Sequence, residues 1–281
     1  MSATRLAARL PGRRAFITGG GSGLGLALAT HLARDGWTIG LLDRERDRLE
    51  TAARLLTDAG AAAVHTFIAD VTDERAFGGA VEGFVERAGG LDFMVNNAGV
   101  AVAGSVAETP LADWRWALEI NVVGVALGSR FALAPMQRAD RGLILNIASA
   151  AAFAAAPGMS AYNASKAAVV ALTETLSAEL YGTGVQAMVA MPGFFPTRLL
   201  DTMRAPADGL SMARKLMDKS AYTAEMVAAE MLAAAAAGEL YLVLPPEYAR
   251  LWRLKRWWPS FFMRRLGKMR ARAAARRASR A

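Results

Sequence analysis

A tyrosine and a lysine stand four residues apart in a segment with strong helical character. Tyr162 and Lys166 lie in the stretch SAYNASKAAVVALTETLSAEL, and residues at positions i and i+4 share one face of a helix. An ammonium group near a phenol favours the ionised form and so lowers the phenol pKa from its ordinary ~10. The pair predicts a tyrosine that exchanges a proton with a substrate oxygen near neutral pH. The same spacing also occurs on many helices that carry no chemistry.

A serine and an asparagine strengthen the catalytic interpretation of this pair. Ser149 follows the apolar run Leu143–Ile147, at the carboxyl end of a predicted strand, where doubly wound sheets bind ligands. Its hydroxyl can hydrogen-bond the same substrate oxygen as the tyrosine. Asn121 lies within a long predicted helix, Leu111–Met136, where a buried amide would either kink the helix or hold a water molecule.

A glycine-rich turn follows the first predicted strand and opens the first predicted helix. It has the sequence Thr18-Gly19-Gly20-Gly21-Ser22-Gly23-Leu24-Gly25. Glycine allows a tight turn and a close approach of the backbone to a ligand. The helix N-terminus presents free N–H groups and a positive dipole end to a pyrophosphate. The strand–turn–helix context therefore predicts a dinucleotide site rather than a bare turn.

An acidic residue at the end of the second predicted strand bears on the choice of dinucleotide. Asp43 lies 18 residues after Gly25, where a carboxylate can bond the adenosine ribose hydroxyls and repel a 2′-phosphate. Arg44 follows it and could attract such a phosphate, but the glycine turn carries no Lys or Arg. We interpret this pattern as favouring NAD over NADP. The alternative is that Asp43 only caps the strand end.

Strand-like apolar runs alternate with helical patterns from residue 13 to about residue 245. This alternation predicts an α/β fold, a doubly wound Rossmann-type parallel sheet of seven strands with helices on both faces. The predicted strands are Arg14–Thr18, Trp37–Leu42, Ala63–Ile68, Leu91–Val95, Leu143–Ile147, Val185–Ala190 and Leu240–Leu244. The other predicted helices are Leu24–Arg34, Asp47–Ala59, Glu74–Ala88, Ala161–Tyr181 and Met226–Ala236.

The charge of the chain is unevenly distributed and separates three regions. The 281 residues carry a net charge of +8. Residues 250–281 contain twelve Lys or Arg and no Asp or Glu, so residues 1–249, with 21 basic and 25 acidic residues, have a net charge of −4. We predict a leader over 1–11, one nucleotide-binding and catalytic domain over 12–249, and a basic amphipathic extension over 250–281.

The composition excludes several classes of site and of protein. The chain has no cysteine and two histidines, His31 and His65, which excludes disulfides, thiol nucleophiles and zinc–thiolate sites and argues against a histidine-rich metal site or a Ser-His-Asp triad. No metal is expected. The N-terminus has arginines but no apolar core of a secretory signal, and no run of ~18 or more apolar residues predicts a membrane span. A cytoplasmic protein is therefore expected.

In this combination, the sequence resembles the short-chain dehydrogenase/reductase family, in its compact single-domain branch, over about residues 13–245. The glycine turn matches the motif TGxxxGxG, and Tyr162 with Lys166 matches YxxxK, with the family serine at Ser149 thirteen residues earlier. The remaining matches are Asp70 and Val71 in ADVT, Asn97, Ala98 and Gly99 in NNAG, Asn121 in NVVG, and Pro192-Gly193 followed by Thr197.

The resemblance implies hydride transfer at the nicotinamide C4, with a role for each matched residue. Tyr162 would be the acid/base, Lys166 would lower its pKa and hold the nicotinamide ribose, and Ser149 would orient the substrate oxygen. Asn121 would position a water that continues a proton relay to Lys166. The implied cofactor-binding set is Thr18, Gly19, Ser22, Gly23, Leu24, Gly25, Asp43, Arg44, Asp70, Val71, Asn97, Ala98, Gly99, Tyr162, Lys166, Pro192, Gly193 and Thr197. The family also implies a homodimer or homotetramer.

The substrate is only weakly encoded. The family builds its pocket from the loop after the fifth strand and the segment after Pro192-Gly193, and here both lack obvious charged anchors near the reacting end. We expect an apolar pocket and therefore a hydrophobic secondary alcohol or ketone, although the same side chains could simply pack in the core or loops. The candidate substrate residues are Phe153, Met159, Phe194, Phe195 and Met203.

Two questions stay open at the level of sequence. The extension LWRLKRWWPSFFMRRLGKM is consistent with packing over the substrate entrance or a neighbouring subunit, with peripheral contact to an anionic membrane, or, least favoured, with nucleic-acid binding. Pro259 should interrupt any single long helix there. A catalytically silent dinucleotide-binding regulatory protein is the alternative function, and a sugar epimerase fits poorly because its glycine turn is spaced differently.

Overall fold

The chain folds around one parallel sheet of seven strands. The computed structural model describes residues 2–278. The strands lie in the order β3-β2-β1-β4-β5-β6-β7, and every pairing is parallel. The predicted fold class is therefore confirmed. The strands are β1 (Arg14–Thr18), β2 (Thr38–Asp43), β3 (Ala63–Ile68), β4 (Phe93–Asn96), β5 (Gly142–Ile147), β6 (Val185–Pro192) and β7 (Tyr241–Leu244).

Helices connect the strands and cover both faces of the sheet. They are α1 (Ser2–Arg9), α2 (Gly23–Ala33), α3 (Arg46–Asp58), α4 (Glu74–Ala88), α5 (Leu111–Leu118), α6 (Gly124–Arg138), α7 (Ala151–Ala154), α8 (Ser160–Glu179), α9 (Ala207–Asp218), α10 (Ala224–Ala237), α11 (Pro246–Trp257) and α12 (Pro259–Ala278). A π-helical turn, Glu119–Val123, joins α5 to α6, and a 3-10 turn, Arg198–Thr202, precedes α9.

The strands are apolar on both sides because both sides are covered. Ala15 and Ile17 of β1 belong to the apolar layer packed with α1, α2, α3 and α10, while Phe16 belongs to the layer packed with α4, α6 and α8. All residues of β4 and β5 are buried. Near-continuous apolar runs are typical of strands in this position.

The segment predicted as a leader forms a helix that packs on the domain. Leu6 and Leu10 are buried, at 0% and 2% exposure, in the apolar layer beside α10. Helix α1 is amphipathic, so its apolar stripe has a partner only once α10 has folded.

The helix predicted over Leu111–Met136 is interrupted in its first half. The π-helical turn Glu119–Val123 inserts between α5 and α6, and it contains Asn121. Among the described helices, the stretch Leu111–Arg138 has the length and composition of a membrane span, but half of its most apolar window is buried inside the protein. It packs against α4 and α8, so we describe it as a core helix.

The C-terminal extension forms two helices that follow the last strand. Helix α11 ends at Trp257 and α12 begins at Pro259, as the proline predicts. Trp252 of α11 lies against Tyr241 of β7, with their ring centroids 5.2 Å apart. Helix α11 is thereby attached to the edge of the sheet.

Candidate active site

A cleft of about 290 Å³ opens at the carboxyl ends of the central strands. It extends from the glycine turn, past Ser149 and Tyr162, to the loops after β6. The residues proposed from the sequence that line it are Gly19, Ser22, Gly23, Leu24, Asp43, Arg44, Asp70, Val71, Asn97, Ala98, Gly99, Ser149, Met159, Tyr162, Lys166, Pro192, Gly193, Phe194, Phe195, Thr197 and Met203.

Four residues of the sequence-based set do not line the cleft. Thr18, Gly25 and Asn121 lie behind the wall of the cleft, where they contact the residues that line it. The structure places Phe153 in an apolar cluster with Val169 and Val189, because short helix α7 turns this side chain into the core. Phe153 is therefore corrected from a substrate contact to a packing residue.

The glycine turn is held against the end of β4 by a set of polar contacts. The Thr18 hydroxyl accepts hydrogen bonds from the N–H groups of Asn97 and Ala98, both at 3.0 Å. The Asn97 amide donates to the carbonyl oxygens of Thr18, at 2.9 Å, and Gly19, at 3.1 Å. A Cβ on Gly25 would lie 2.4 Å from the Gly19 oxygen, so only glycine permits this approach of turn and helix.

The turn presents the start of α2 to the cleft. Gly19 and Gly23 have φ values of 62° and 54°, in the left-handed region that favours glycine. The Ser22 side chain makes no capping hydrogen bond to α2, so the first N–H groups of this helix remain available for an anion. Across the cleft, the Thr197 hydroxyl would lie 3.6 Å from a Cβ on Gly23. The residues present therefore fit a dinucleotide pyrophosphate.

The carboxylate of Asp43 lies directly beside the glycine turn. One of its oxygens accepts a hydrogen bond from the Gly21 N–H at 3.1 Å, and the other accepts from the Glu45 N–H at 3.2 Å. Arg44 and Arg48 line the same end of the cleft. Arg48 was not expected from the sequence, because it lies in the first turns of α3 among other charged residues and matches no motif.

Asp70 and Val71 line the cleft just beyond the end of β3. The Asp70 carboxylate accepts hydrogen bonds from the N–H and hydroxyl of Thr72, at 2.9 and 2.8 Å. This local turn holds Asp70 in place at that side of the cleft.

Tyr162 and Lys166 both lie in α8 and both are almost completely buried, at 7% and 4% exposure. The Lys166 ammonium lies 5.9 Å from the centroid of the Tyr162 ring and donates a hydrogen bond to the Ile147 carbonyl oxygen at 2.9 Å. Burial lowers the pKa of Lys166 to about 8, because a low-dielectric site disfavours the charged amine.

The pKa of Tyr162 differs from the sequence-based expectation. Burial raises this pKa above 10.0, and a hydrogen bond with the Ser149 hydroxyl opposes the rise. The expected lowering by Lys166 does not appear, because the ammonium is directed at the Ile147 carbonyl rather than at the phenol oxygen. At neutral pH the Tyr162 side chain is therefore a protonated phenol in this arrangement.

Asn121 occupies the π-helical turn and connects two parts of the site. Its amide oxygen accepts from the Val100 N–H at 2.8 Å, and its amide nitrogen donates to the Val100 carbonyl at 2.9 Å and the Ser165 hydroxyl at 3.0 Å. A Cβ on Gly99 would lie 3.1 Å from the Asn121 oxygen and 3.3 Å from the Lys166 nitrogen. Both polar groups therefore border the same small space, and glycine keeps it open.

A tyrosine from the extension lines the cleft and was missed by the sequence analysis. Tyr248 of α11 faces the cleft, and its ring would lie 2.9 Å from a Cβ on Gly193. No motif marks this residue, because its position depends on α11 folding back over the end of β6. The remaining unexpected lining residues include the 3-10 turn Arg198–Thr202 and Met217 of α9.

The described residues contain no cluster of three or more His, Asp or Glu side chains that could hold a metal ion.

Comparison with known proteins gives the same family as the sequence motifs. The sequence model of the short chain dehydrogenase family matches residues 13–208. The chain is 38% identical over 185 residues to 2-(S)-hydroxypropyl-CoM dehydrogenase 3 of Xanthobacter autotrophicus, covering 66% of this chain and 72% of that protein. It is 36% identical over 182 residues to a cyclopentanol dehydrogenase of a Comamonas species. That match covers 65% of this chain and 72% of the relative.

A solved structure extends the likeness to most of the chain. A short-chain dehydrogenase/reductase of Burkholderia phymatum, determined in complex with NAD, superposes with a TM-score of 0.84 at 30% identity, covering 88% of this chain and 94% of that one. The fold and the cleft define a Rossmann-type oxidoreductase. The chain belongs to the short-chain dehydrogenase/reductase family, and its relatives include dehydrogenases that act on alcohols.

The approach of Gly25 to Gly19 predicts the effect of adding one methyl group. Gly25→Ala should weaken dinucleotide binding at least about tenfold, because the new Cβ must displace the Gly19 carbonyl and with it the turn. Gly79→Ala is the matched control, since a Cβ on Gly79 meets nothing within 4 Å. Titration calorimetry with NAD measures both, and equal affinity in the two variants would contradict the assignment of the turn.

The buried amine predicts a pH-dependent cost in stability. The pKa of Lys166 is about 8 in the folded chain against an ordinary 10.5, so burial of the protonated amine is unfavourable below pH 8 and this cost disappears as pH rises to 10.5. Lys166→Met removes the titration, and its stability advantage over the native chain should shrink by about 3 kcal/mol across that pH interval. Denaturant unfolding across that interval measures the change. Exposed Lys215→Met should show no such trend.

Proposed function

We propose that this protein transfers a hydride between NAD and a hydrophobic secondary alcohol or ketone, with Tyr162 as the acid/base. The observation that carries the proposal is the convergence of Ser149, Tyr162 and Lys166 on one cleft that begins at the glycine turn. The family provides the reaction class, and the cofactor, the tyrosine mechanism and the substrate class are the parts proposed.

The chain holds the dinucleotide along the carboxyl ends of the strands. The glycine turn and the start of α2 would bind the pyrophosphate, Asp43 the adenosine ribose, and Lys166 the nicotinamide ribose. When bound, the nicotinamide supplies the hydride acceptor or donor, so the protein itself needs only to position the substrate and move a proton.

The proton that accompanies hydride transfer would move through Tyr162 and the polar residues around it. The Tyr162 phenol, with its pKa raised by burial, donates its proton to a ketone oxygen or recovers one from an alcohol. The Ser149 hydroxyl lies within hydrogen-bonding range of the phenol and orients the same substrate oxygen. Lys166 and Asn121 border one small space beside Gly99, which suits a water that would relay the proton onward.

The preference for NAD is supported by the position of a carboxylate. Asp43 lies beside the Gly21 N–H, where it can accept hydrogen bonds from ribose hydroxyls and repels a phosphate on the same ribose. Arg44 and Arg48 line the same region and would favour that phosphate once the carboxylate is removed.

The substrate class is supported by the character of the far end of the cleft. Met159, Phe194, Phe195 and Met203 line this end together with Met217, and a mostly apolar wall stabilises an apolar ligand around a few polar groups. The two curated relatives described above are named for 2-(S)-hydroxypropyl-CoM and for cyclopentanol, and both of these compounds are secondary alcohols.

Removal of one hydroxyl tests the role of Tyr162. Tyr162→Phe should lower kcat by about a thousandfold, because the phenol proton is lost, while the dissociation constant for NAD changes less than about twofold. Steady-state reduction of NAD with a panel of apolar secondary alcohols measures the first quantity, and calorimetry measures the second. Turnover retained in this variant contradicts the tyrosine mechanism, whereas NAD binding without turnover in the native chain would favour the silent regulatory protein.

Replacement of Asp43 tests the cofactor preference. Asp43→Ser should shift the ratio of kcat/KM for NAD over NADP by about tenfold or more toward NADP, because it removes both the ribose contact and the repulsion of the phosphate. Asp47→Ser is the matched control. It removes the same charge, but Asp47 lies in the first turn of α3 and does not line the cleft. An unchanged ratio in Asp43→Ser would show that this carboxylate does not set the preference.

A further inference from the structure

The C-terminal extension exposes an unusual density of large apolar side chains. Among the described residues, six of the fifteen exposed large hydrophobic side chains lie between positions 251 and 269. Their exposed fractions reach 73% at Trp257, 60% at Trp258 and 60% at Met269. Single exposed apolar residues are ordinary, but a concentrated patch marks an interaction site. The six residues are Leu251, Trp257, Trp258, Phe261, Met263 and Met269.

The same segment carries a large positive charge. Residues 250–281 hold twelve Lys or Arg and no Asp or Glu. Within the described part of the chain, each of the ion pairs joins residues of the domain, and none includes a cation of α11 or α12. Arg256 lies over the ring of Trp252. Arg270 acts electrostatically on Glu108, whose pKa is lowered chiefly by hydrogen bonds from Ser105.

Apolar and cationic side chains share one side of α12. Phe261, Arg265 and Met269 follow each other at intervals of four residues, and Arg264 and Lys268 continue the same side at intervals of three and four. These five residues border one surface depression together with Arg272. Trp257 and Trp258 lie just before α12 in the chain, with their ring centroids 6.3 Å apart. We name this region, the exposed side of residues 257–272, the tail surface.

The tail surface is held to the domain through α11. Tyr248, Ala249 and Trp252 pack against the apolar cluster of β6, β7 and α8, and Tyr248 also lines the cleft. The inner side of α11 therefore has its partner within the chain, whereas Trp257, Trp258 and the exposed apolar residues of α12 named above face solvent.

We propose that the tail surface docks on a lipid bilayer that carries anionic headgroups. Arginine and lysine attract the headgroups, and each such residue near the surface strengthens binding about fivefold. The tryptophan and phenylalanine rings enter the interfacial layer, as in other interfacial helices with aromatic residues among basic ones. The proposal rests on the exposed groups of α11 and α12 and does not depend on the reaction in the cleft.

Other occupants fit the tail surface less well. A second copy of the chain would bring an equal positive charge to the same patch, which opposes self-association. Nucleic acid would use the cations and could stack on aromatic rings, but it provides no burial for the apolar side chain of Met269, which a bilayer does.

Vesicle co-sedimentation of the full chain tests the proposal with three matched variants. The probe is vesicles of phosphatidylcholine with and without an equal amount of phosphatidylglycerol. The native chain should pellet only with the anionic vesicles, and less at high ionic strength. Arg264→Gln/Arg265→Gln/Lys268→Gln should weaken binding about a hundredfold, and Trp257→Ser/Trp258→Ser/Phe261→Ser about tenfold or more.

The control variant carries the same charge change on other surfaces. Arg54→Gln/Arg75→Gln/Arg138→Gln removes three exposed cations from α3, α4 and α6 and should bind vesicles as the native chain does, within about twofold. Thermal unfolding checks that every variant retains the fold. Equal pelleting of the tail-charge variant and the control overturns the proposal, as does binding of RNA or tail-dependent dimerisation in place of vesicle binding.

Fluorescence quenching gives a second, independent readout. Brominated lipids should quench the tryptophan fluorescence of the native protein strongly. This quenching would report on Trp257 and Trp258, because the other four tryptophans are buried or half-buried in the domain and α11. Trp257→Phe/Trp258→Phe keeps the apolar rings, so it should still pellet with anionic vesicles but lose most of the quenching. Undiminished quenching in this variant would show that other residues meet the lipid and would overturn the placement of the tail surface.

Discussion

The close contact between the turn after β1 and the end of β4 is the constraint on which the rest of the site depends. The Asn97 amide donates to the carbonyl oxygens of Thr18 and Gly19, and the Thr18 hydroxyl accepts from the backbone N–H groups after β4. Gly25 lies so close to the Gly19 carbonyl that no side chain fits at position 25. This contact directs the start of α2 into the cleft. It also brings Ala98 and Gly99 to the cleft beside Tyr162 and Lys166, because both strand ends then share one edge of the sheet.

The polar groups at this edge of the sheet lower the stability of the fold. Lys166 is a nearly buried amine whose pKa is lowered to about 8, and it is satisfied by a backbone carbonyl rather than by a carboxylate. Asn121 lies in a π-helical turn, a feature that often marks functional sites. Gly99 keeps the space between these two groups open. The chain thus holds polar groups in an apolar environment at the edge of the cleft.

The agreement between sequence and structure is best where the physical signal is local. The predicted bounds of β1 and β3 agree with the structure, and the predicted break at Pro259 is present, because apolar periodicity and proline geometry act over a few residues. The position of Arg48 at the cleft, the π-helical turn and the burial of Phe153 were not predicted. Each depends on how one element packs against another. The lowered phenol pKa was expected from spacing alone, but burial and the direction of the Lys166 side chain oppose it.

The sequence by itself determined the parallel α/β architecture, the glycine turn, the Tyr162 and Lys166 pair and the separation of an acidic domain from a basic extension. These features depend on residue type and spacing along the chain. Only the tertiary structure decided that α1 packs on α10, that Tyr248 of α11 reaches the cleft and that Trp257 and Trp258 remain exposed. The reason is that burial is a property of the assembled surfaces: an amphipathic helix shows which face is apolar, but whether that face finds a partner depends on the elements folded around it.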